Sequence, residues 1–336
     1  MNDKRYDVVG LGNAIVDVLA KVEDEFLERH DLVKGSMALI DEEQAQRIYA
    51  AMPPAQEASG GSAANTLAGL ASFGARCGFI GKVKDDELGK IFTHDIRAIG
   101  VDYTTSPSSA GAETARCFVS VTPDAERTMA TFLGATRLID VADVDEAMIK
   151  NAQILYLEGY LWDEPKAKEA MRHAMLVARD ANTKVAFSLS DLFCVDRHRE
   201  DFHVMLQSGM VDILFANEAE AKALFESPDD GVAGQEIVQY CDLVAITRSG
   251  NGSILVTKDQ EIQIAPIEVE DVVDTTGAGD LYASGLLYGL SQDYELEQCG
   301  KLASIAAAEI ISHMGARPDQ NLAKLAADLG VIEQAA

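Results

Sequence analysis

Residues 271–290 read DVVDTTGAGDLYASGLLYGL: an apolar stretch, small residues framed by two aspartates, and then a helical pattern. Apolar residues beyond this frame recur at helical spacing, which predicts a helix that begins between Ala278 and Asp280. The amides of Gly277, Ala278 and Gly279 would then have no acceptor within the helix. They would point outward at the positive end of its dipole and form an anion-binding site. Taken alone, the stretch fits equally well an Asp280 that only caps the helix.

The composition is that of a globular protein with room for a large core. Of the 336 residues, 48% are hydrophobic and 25% are charged. The formal net charge of −27 argues against a surface for nucleic acid or anionic membrane. An anionic substrate is not excluded, because a local nest of amides can bind phosphate against an acidic background. The five cysteines are scattered and form no CxxC pair, no apolar run is long enough to span a bilayer, and the start has no signal-like pattern. These features predict a cytoplasmic protein.

Several nucleotide-binding and catalytic motifs are incomplete in this chain. Gly10-Leu11-Gly12 lacks the third glycine of a dinucleotide-binding loop, since Ile15 stands in its place. Gly81-Lys82 lacks the upstream spacing of a Walker A loop. No HExxH or GxSxG string occurs, and His198 and His203 have no neighbouring ligand set. We therefore expect neither a Rossmann or P-loop nucleotide site nor a structural zinc site.

The order of the patterns predicts a single α/β domain over residues 1–336. From QILYLEG onward, strand-like runs alternate with helical patterns, which is typical of a parallel sheet with helices on both faces. Residues 114–134 alternate on both sides of the turn-rich TPDAER, which predicts a β-hairpin. With the N-terminal strands this hairpin would form a small β extension, at about 13–40 and 104–134. Parallel sheets bind ligands beyond the carboxyl ends of their strands.

Residues 60–74, GGSAANTLAGLASFG, contain the first candidate binding site. A glycine pair and Asn65 precede a helix predicted from Leu67 to Phe73. One interpretation is a tightly packed helix behind a glycine turn. The other is a polyol that lies against the Gly61 backbone and is hydrogen-bonded by Asn65.

Residues 12–17, GNAIVD, contain the second candidate site. A strand over this stretch would place Asn13, Ile15 and Asp17 on one face. A carboxylate beside an amide suits vicinal hydroxyls, because an aspartate can accept hydrogen bonds from both hydroxyls of a diol. The alternative is an edge strand whose polar face lies in solvent.

GGSAANTLAGLASFG and DTTGAGD together resemble the paired signatures of the ribokinase-like (PfkB) family of carbohydrate and nucleoside kinases. They occur in the family's order and at roughly its spacing, and the resemblance runs from GLGNAIVD to the C-terminal helices. The segments SLSDLF and DILFANEAEA most resemble adenosine kinases within that family. The resemblance implies a three-layer core around a parallel sheet, with a small β-sheet lid.

The resemblance also implies catalytic roles for the stretch at 271–290. Phosphoryl transfer needs charge stabilisation at the equatorial oxygens and an acceptor for the hydroxyl proton. By resemblance, the amides of Gly277, Ala278 and Gly279 hold the γ-phosphate and Asp280 is the catalytic base. This assignment favours the anion-hole interpretation over simple capping.

On the acceptor side, the resemblance implies a ribose clamp and an apolar pocket. The clamp would be Asn13, Asp17, Gly61 and Asn65. Tyr160 and Phe193 are candidates for stacking on a base, with core packing as the alternative for both. Further apolar walls are predicted at Ile15 and Leu39.

On the nucleotide side, the resemblance implies residues for ATP and for cations. Asn217 and Glu220 of NEAE would organise Mg²⁺, mainly through water. In ITRSGNGS the pattern departs from the family, since Ser249 stands where glycine is usual and Arg248 where a small or apolar residue is common. The predicted ATP-binding residues are Asn217, Thr247, Arg248, Gly252 and Thr275, and the predicted monovalent-cation residues, for K⁺, are Asp274 and Thr276.

These features predict an ATP- and Mg²⁺-dependent kinase that phosphorylates the 5′-hydroxyl of a nucleoside, with adenosine the favoured acceptor and AMP the product. The first alternative is a sugar kinase of the same family, acting on fructose, ribose or a keto-deoxy sugar acid. A second alternative is a non-catalytic binding protein, which the intact Asp280 motif disfavours. We expect a small-molecule substrate, no nucleic-acid or membrane partner, and a monomer or homodimer.

Overall fold

The structure, a computed structural model, describes residues 4–124 and 126–333 and has two β-sheets. The larger sheet has nine strands in the order β14-β13-β12-β11-β10-β9-β1-β5-β6. Seven of them, from β12 to β6, run parallel, and β13 and β14 add an antiparallel edge. The strands are β1 Tyr6–Leu11, β5 Cys77–Ile80, β6 Asp102–Tyr103, β9 Ala152–Glu158, β10 Lys184–Ser188, β11 Ile213–Asn217, β12 Leu243–Thr247, β13 Ser253–Val256 and β14 Glu261–Ile264.

Helices cover both faces of this sheet, which gives the predicted three-layer α/β core. The strands are apolar on both sides, as expected for a parallel sheet that is buried on both faces. Val9 and Leu155 pack into one core and Val8 and Ile154 into the other, so successive residues alternate between the layers. The helices are α1 Asp24–Arg29, α2 Glu42–Ala51, α3 Ser62–Ser72, α4 Glu87–Ala98, α5 Glu146–Lys150, α6 Pro165–Asp180, α7 Leu192–Gln207, α8 Glu218–Phe225, α9 Asp230–Ile237, α10 Ala278–Ser291, α11 Leu296–Ile311 and α12 Leu322–Asp328.

The second sheet is small and has five strands in the order β3-β8-β7-β2-β4. Its strands are β2 Ile15–Lys21, β3 Met37–Leu39, β4 Gln56–Gly60, β7 Ala115–Val121 and β8 Arg127–Phe132. The antiparallel pairing of β7 with β8 confirms the hairpin predicted for 114–134. Strand β4 was not predicted and lies outside the segments assigned to the extension, because QEASG has no alternation of apolar and polar residues.

The two faces of the small sheet differ in what they contact. Val18, Phe118 and Ala130 point to one face and pack beneath α1 and α2. Residues in register share a face, and the other face carries several rows across the strands. These rows include Ala58–Asp17–Cys117–Thr131–Leu39, Gln56–Leu19–Val119–Met129–Met37 and Lys21–Val121–Arg127. Polar side chains stand on this face at Asp17 and Thr131 and, at strand ends, at Gln56, Lys21 and Arg127, and the side chains between them are apolar.

Helix positions near the glycine motifs agree with the sequence in their main features. Helix α10 begins at Ala278, within the predicted range, and α4 is followed by Gly100 at φ 88°, the left-handed conformation of a C-terminal glycine. Helix α3 begins at Ser62, five residues before the predicted start, so Asn65 lies in its first turn. Among the described residues, no helix is long and apolar enough to cross a membrane.

Candidate active site

The N-terminus of α10 lies at the centre of the candidate site. Gly277 precedes the helix at φ 78°, and the Cα of Ala316 lies 3.1 Å from where a Cβ on Gly277 would be. Left-handed geometry and this close neighbour together require glycine at 277. A Cβ added to Gly279 would meet no described atom within 4 Å, so there is open space beside this turn. The Ala278 amide donates to the Thr275 carbonyl at 3.2 Å and is therefore not free, contrary to the sequence-based prediction. The helix N-terminus and the open space beside it are compatible with a bound anion.

Asp280 is held in place by two side chains from α3. Its Oδ1 accepts a hydrogen bond from Ser62 Oγ at 2.7 Å, and its Oδ2 accepts one from Asn65 Nδ2 at 3.1 Å. Burial raises the pKa of Asp280 to about 6, and the hydrogen bonds from Ser62 and Asn65 oppose that rise. A carboxylate with this pKa is ionised at neutral pH and is still able to take up a proton.

The glycine pair before α3 lies against the two predicted diol ligands. A Cβ on Gly60 would be 2.3 Å from Asp17 Oδ2, and one on Gly61 would be 2.3 Å from the carbonyl oxygen of Asn13. Gly61 also has φ 99°. The structure thus brings Asn13, Asp17, Gly61 and Asn65 together, although they come from four different elements or loops.

Asn13 corrects one sequence-based expectation. It lies in the turn between β1 and β2 and not on a strand, because β1 ends at Leu11 and β2 begins at Ile15. Its side chain is buried, and its Oδ1 accepts a hydrogen bond from Thr136 Oγ1 at 2.7 Å. Ile15 and Asp17 do share the face of the small sheet described above, as predicted.

Glu158, at the carboxyl end of β9, was missed by the sequence analysis. Its Oε1 accepts hydrogen bonds from the backbone and side-chain nitrogens of Asn13, at 2.8 and 2.6 Å, and its Oε2 accepts one from the Ala63 amide at 2.7 Å. Burial raises its pKa to about 7 against these hydrogen bonds. Glu158 therefore ties the Asn13 turn to the start of α3 and fixes the clamp geometry.

Charged groups surround Asp17 on the other side of the cleft. Burial raises the pKa of Asp17 to about 7, while Arg317 lowers it, Asp280 raises it and Arg127 lowers it. Arg127 is a residue of β8 whose Nη1 also forms a 2.7 Å ion pair with Asp274 Oδ2. Neither arginine was predicted. Both lie in segments without a recognisable motif, so only the folded structure brings them to the cleft.

The predicted aromatic and apolar residues differ in their burial and contacts. Tyr160 follows β9, and its hydroxyl donates a hydrogen bond to the Ser190 carbonyl at 3.2 Å. Burial, with Asp191 and Asp280 among the neighbouring carboxylates, raises the pKa of Tyr160 well above 10. Phe193, at the start of α7, is 70% exposed, which excludes the core-packing alternative for that residue. Leu39 is exposed on the apolar face of the small sheet.

Asn217 and Glu220 form a capping box at the N-terminus of α8. Asn217 Oδ1 accepts from the Glu220 amide at 2.9 Å, and the Glu220 carboxylate accepts from the backbone and side-chain nitrogens of Asn217. Burial raises the pKa of Glu220 to about 7, and a nearby Asp191 carboxylate contributes to the rise. Across residues 4–124 and 126–333, no three acidic, histidine or cysteine side chains cluster as a ready-made metal cage.

The loop after β12 contains the other predicted ATP residues. Thr247 ends β12, and Arg248 forms an ion pair with Asp230 of α9. Ser249 has φ 49°, the left-handed region that glycine adopts more readily, and this agrees with its place at a usual glycine position. Gly252 has φ 78°, and a Cβ there would lie 2.1 Å from the Ile264 carbonyl oxygen. Packing against β14 therefore requires glycine at position 252.

The carboxylate of Asp274 is surrounded by hydrogen-bond donors. Asp274 Oδ1 accepts from the Thr276 amide and Oδ2 from the Gly315 amide, both at 3.0 Å, in addition to the ion pair with Arg127. Arg127 Nη1 also lies 3.3 Å from Thr276 Oγ1. The neighbouring Thr275 is exposed, and its carbonyl accepts from the Ala278 amide. This loop therefore links β8 of the small sheet to the anion-binding turn.

An amide nest at a helix N-terminus, a held carboxylate of raised pKa and a cluster of diol acceptors together fit transfer of a phosphoryl group to an alcohol. The family model for pfkB family carbohydrate kinases matches residues 38–322. The chain belongs to that family, whose members are kinases that act on hydroxyl groups of sugars or nucleosides. Membership implies ATP and a divalent metal ion as cofactors.

The proteins similar to this chain include kinases named for sugars or sugar acids and kinases named for adenosine. A probable sugar kinase from Rhizobium etli CFN 42 is 45% identical, with a TM-score of 0.92 over 98% of this chain and 100% of that chain. An adenosine kinase from Sinorhizobium meliloti is 46% identical, with a TM-score of 0.90 over 97% and 99%. A 5-dehydro-2-deoxygluconokinase from Shouchella clausii is 26% identical over 92% of this chain and 90% of its own length.

Proposed function

We propose that this kinase transfers the γ-phosphoryl group of ATP to the 5′-hydroxyl of a nucleoside, with adenosine as its acceptor and AMP as its product. The observation that carries the proposal is the group of apolar side chains on the face of the small sheet that also carries Asp17. A simple sugar presents hydroxyls on all sides, whereas a nucleoside has a polyol end and a flat apolar base. A wall of Leu39, Met37, Met129 and Val119 beside Asp17 fits the second shape.

The ribose would be held by Asn13, Asp17 and Asn65 above the glycine backbone. Asp17 accepts hydrogen bonds from vicinal hydroxyls, and Asn65 Oδ1, which is buried without a described partner, is free to accept another. Glycine at 60 and 61 lets the backbone pack against the clamp, because a Cβ there would collide with Asp17 or with the Asn13 carbonyl oxygen. Orientation of the 5′-hydroxyl toward α10 follows from this arrangement.

Asp280 would receive the proton of the attacking hydroxyl. Hydrogen bonds from Ser62 and Asn65 orient its two oxygens, and the pKa of about 6 leaves it ionised before transfer. The amides of Gly277 and Gly279 would donate to the oxygens of the moving phosphoryl group, and the Ala278 amide would do so once it releases the Thr275 carbonyl. These donors would stabilise the charge that develops at those oxygens.

The nucleotide side would be organised by the ends of β11 and β12 and by the Asp274 loop. Asn217 and Glu220 would hold the divalent ion through water, and Thr247, Arg248, Gly252 and Thr275 would border ATP. When bound, the ion neutralises charge on the phosphates of ATP. We also propose that Asp274 and Thr276 belong to a monovalent-cation site, for which the buried Asp274 carboxylate is the support. In this structure Arg127 pairs with that carboxylate, so the cation would have to bind beside or in place of the guanidinium.

The second candidate is a sugar-acid kinase. It is favoured by curated relatives named 5-dehydro-2-deoxygluconokinase, at 26% identity over 92% of this chain. This likeness is at a lower identity than the 46% to an adenosine kinase, although a probable sugar kinase is 45% identical. The apolar face of the small sheet has no evident purpose for a sugar acid.

Phe193 provides a test of the nucleoside site. Because the ring is 70% exposed, Phe193→Ala removes little packing and leaves the fold intact. It should weaken adenosine binding by about 1–3 kcal/mol, the scale of stacking between a base and an aromatic ring. Phosphorylation of free ribose should change much less, because the clamp is untouched. The measurement is the ratio of kcat/KM for adenosine and ribose.

Leu192→Ala is the matched control, since Leu192 is the exposed neighbour of Phe193 at the start of α7. Its adenosine-to-ribose ratio should equal that of the wild type. A Phe193→Ala enzyme that loses both activities equally would contradict the nucleoside assignment.

A further inference from the structure

Arg317 has an unusual environment for a guanidinium. Its Nε and Nη2 atoms are buried, and neither has a hydrogen-bond partner among residues 4–124 and 126–333. Burial lowers the pKa of Arg317 to about 10, and the nearby carboxylates of Asp17 and Asp95 oppose that shift. At neutral pH the side chain is therefore still charged. Unused donors on a buried cation are costly, so a partner for them is expected.

Arg317 adjoins the proposed phosphoryl-transfer site through its backbone neighbour and through a charge that it influences. The preceding residue, Ala316, is the one whose Cα closely approaches Gly277 of the amide nest. The Arg317 guanidinium has a larger influence on the charge of Asp17, in the acceptor clamp, than Arg127 has. Arg317 is thus connected with both the proposed anion-binding turn and the clamp, and the phosphoryl group has to pass between these two places.

We propose that Arg317 is a further catalytic residue, whose guanidinium binds the phosphoryl group as it moves from ATP to the acceptor oxygen. The identity of the acceptor rests on the proposed function, but the role of Arg317 does not. Guanidinium donates in a planar fork that matches two oxygens of a phosphate. Two unused N–H groups on one side chain provide that fork.

The proposed step needs no additional reactant. The bond from phosphorus to the acceptor oxygen forms as its bond to the bridging oxygen of ADP breaks, and the hydroxyl proton passes to Asp280. Arg317 keeps its own protons throughout and only donates hydrogen bonds. Arg127 is engaged differently, because its Nη1 already pairs with the Asp274 carboxylate.

The variants Arg317→Gln and Arg317→Lys test the proposal. Loss of one oxyanion-stabilising group typically lowers kcat about a hundredfold or more, so Arg317→Gln should do so while KM for adenosine stays within about twofold. Affinity for AMP should fall at least about tenfold, because a charge-assisted hydrogen bond to phosphate is lost, while affinity for adenosine is kept. Arg317→Lys keeps the charge without the fork, and its losses should be smaller.

The control is Arg172→Gln on α6, an exposed arginine that contacts Asp201 and changes the net charge by the same amount. It should leave kcat and both affinities unchanged. If Arg317→Gln does not fold, as judged by thermal unfolding, the AMP-to-adenosine affinity ratio of Arg317→Lys decides the question. An unchanged ratio in the folded variants overturns the proposal.

Two further outcomes separate this proposal from the proposed function. If the wild type prefers a sugar, the nucleoside assignment fails, and the same ratio is measured with that sugar and its phosphate. A fall in the ratio would then still support Arg317 as a phosphoryl ligand. If Arg317→Gln instead raises KM for a sugar acid at unchanged kcat, the guanidinium binds the carboxylate of the substrate and the proposal is wrong.

Discussion

Asp280 shows how neighbouring groups can suit one side chain to the role of base that we propose for it. Its backbone position at the start of α10 places it beside the amide nest, and α3 supplies the two donors that orient it. Burial raises its pKa, whereas the positive end of a helix and two hydrogen bonds favour its charged form. The net pKa, about 6, suits a base that must accept a proton near neutral pH.

Asp280→Asn should lower kcat by about a hundred- to ten-thousand-fold, the usual cost of losing a general base. The amide keeps the size of the side chain and most of its hydrogen bonding, so ATP binding should persist. Steady-state kinetics and ATP titration of the same preparation measure both. Near-normal turnover of the variant would exclude Asp280 as the base.

The raised pKa of Asp280 predicts how kcat/KM changes at acidic pH. The base must be deprotonated, and a raised pKa means that it is protonated progressively as pH falls through about 6. The kcat/KM of the wild type should therefore fall between pH 7 and pH 5. The residual activity of Asp280→Asn should lose the part of this fall that is centred near 6. An identical profile in wild type and variant would assign the titration to another group, such as Glu158.

The sequence could group residues of one contiguous motif but could not identify partners that are distant in the chain. The glycines and Asp280 stand within one short stretch, so their chemistry can be read from spacing. Ser62 contacts Asp280 across 218 residues, and Glu158 holds Asn13 across 145. Glu158 is the last residue of an apolar strand, and parallel sheets bind ligands beyond the carboxyl ends of their strands. This position was the available sequence signal that Glu158 belongs to the site.

At the scale of elements, the small sheet combines a packed face with a face toward the cleft. Val18 and Phe118 anchor one side on α1 and α2, whereas Asp17 and its apolar neighbours form the other. Arg127 of β8 reaches across to Asp274, which adjoins the anion-binding turn. We infer that the small sheet acts as a lid, since one ion pair connects it directly to the catalytic loop.

Hydrogen exchange should report that movement. Amides of residues 115–121 and 127–132 should exchange more slowly when adenosine is added, because closure over the substrate protects them. In Arg127→Gln this protection should be weaker, since the contact with Asp274 is lost. Helix α6 provides internal reference peptides whose exchange should not change. Unchanged exchange of the two strands at saturating adenosine would exclude a closing lid.

At the scale of the whole molecule, the alternation of strand and helix patterns was enough to predict the central sheet and its two helical layers. The small sheet was only partly predictable, because β4 has no apolar alternation and joins through pairing with β2. Arg127 and Arg317 reach the cleft only through tertiary structure. Both provide positive charge at an anionic reaction within a chain of net charge −27.

Comparison of acceptors for the wild-type enzyme tests the central claim most directly. With saturating ATP and Mg²⁺, kcat/KM is measured for adenosine, ribose, fructose and 5-dehydro-2-deoxygluconate in one coupled assay. The apolar wall and Phe193 should favour adenosine over every sugar by at least about tenfold, since base stacking alone contributes on that scale. A higher kcat/KM for any of the three sugars than for adenosine would contradict the nucleoside kinase assignment.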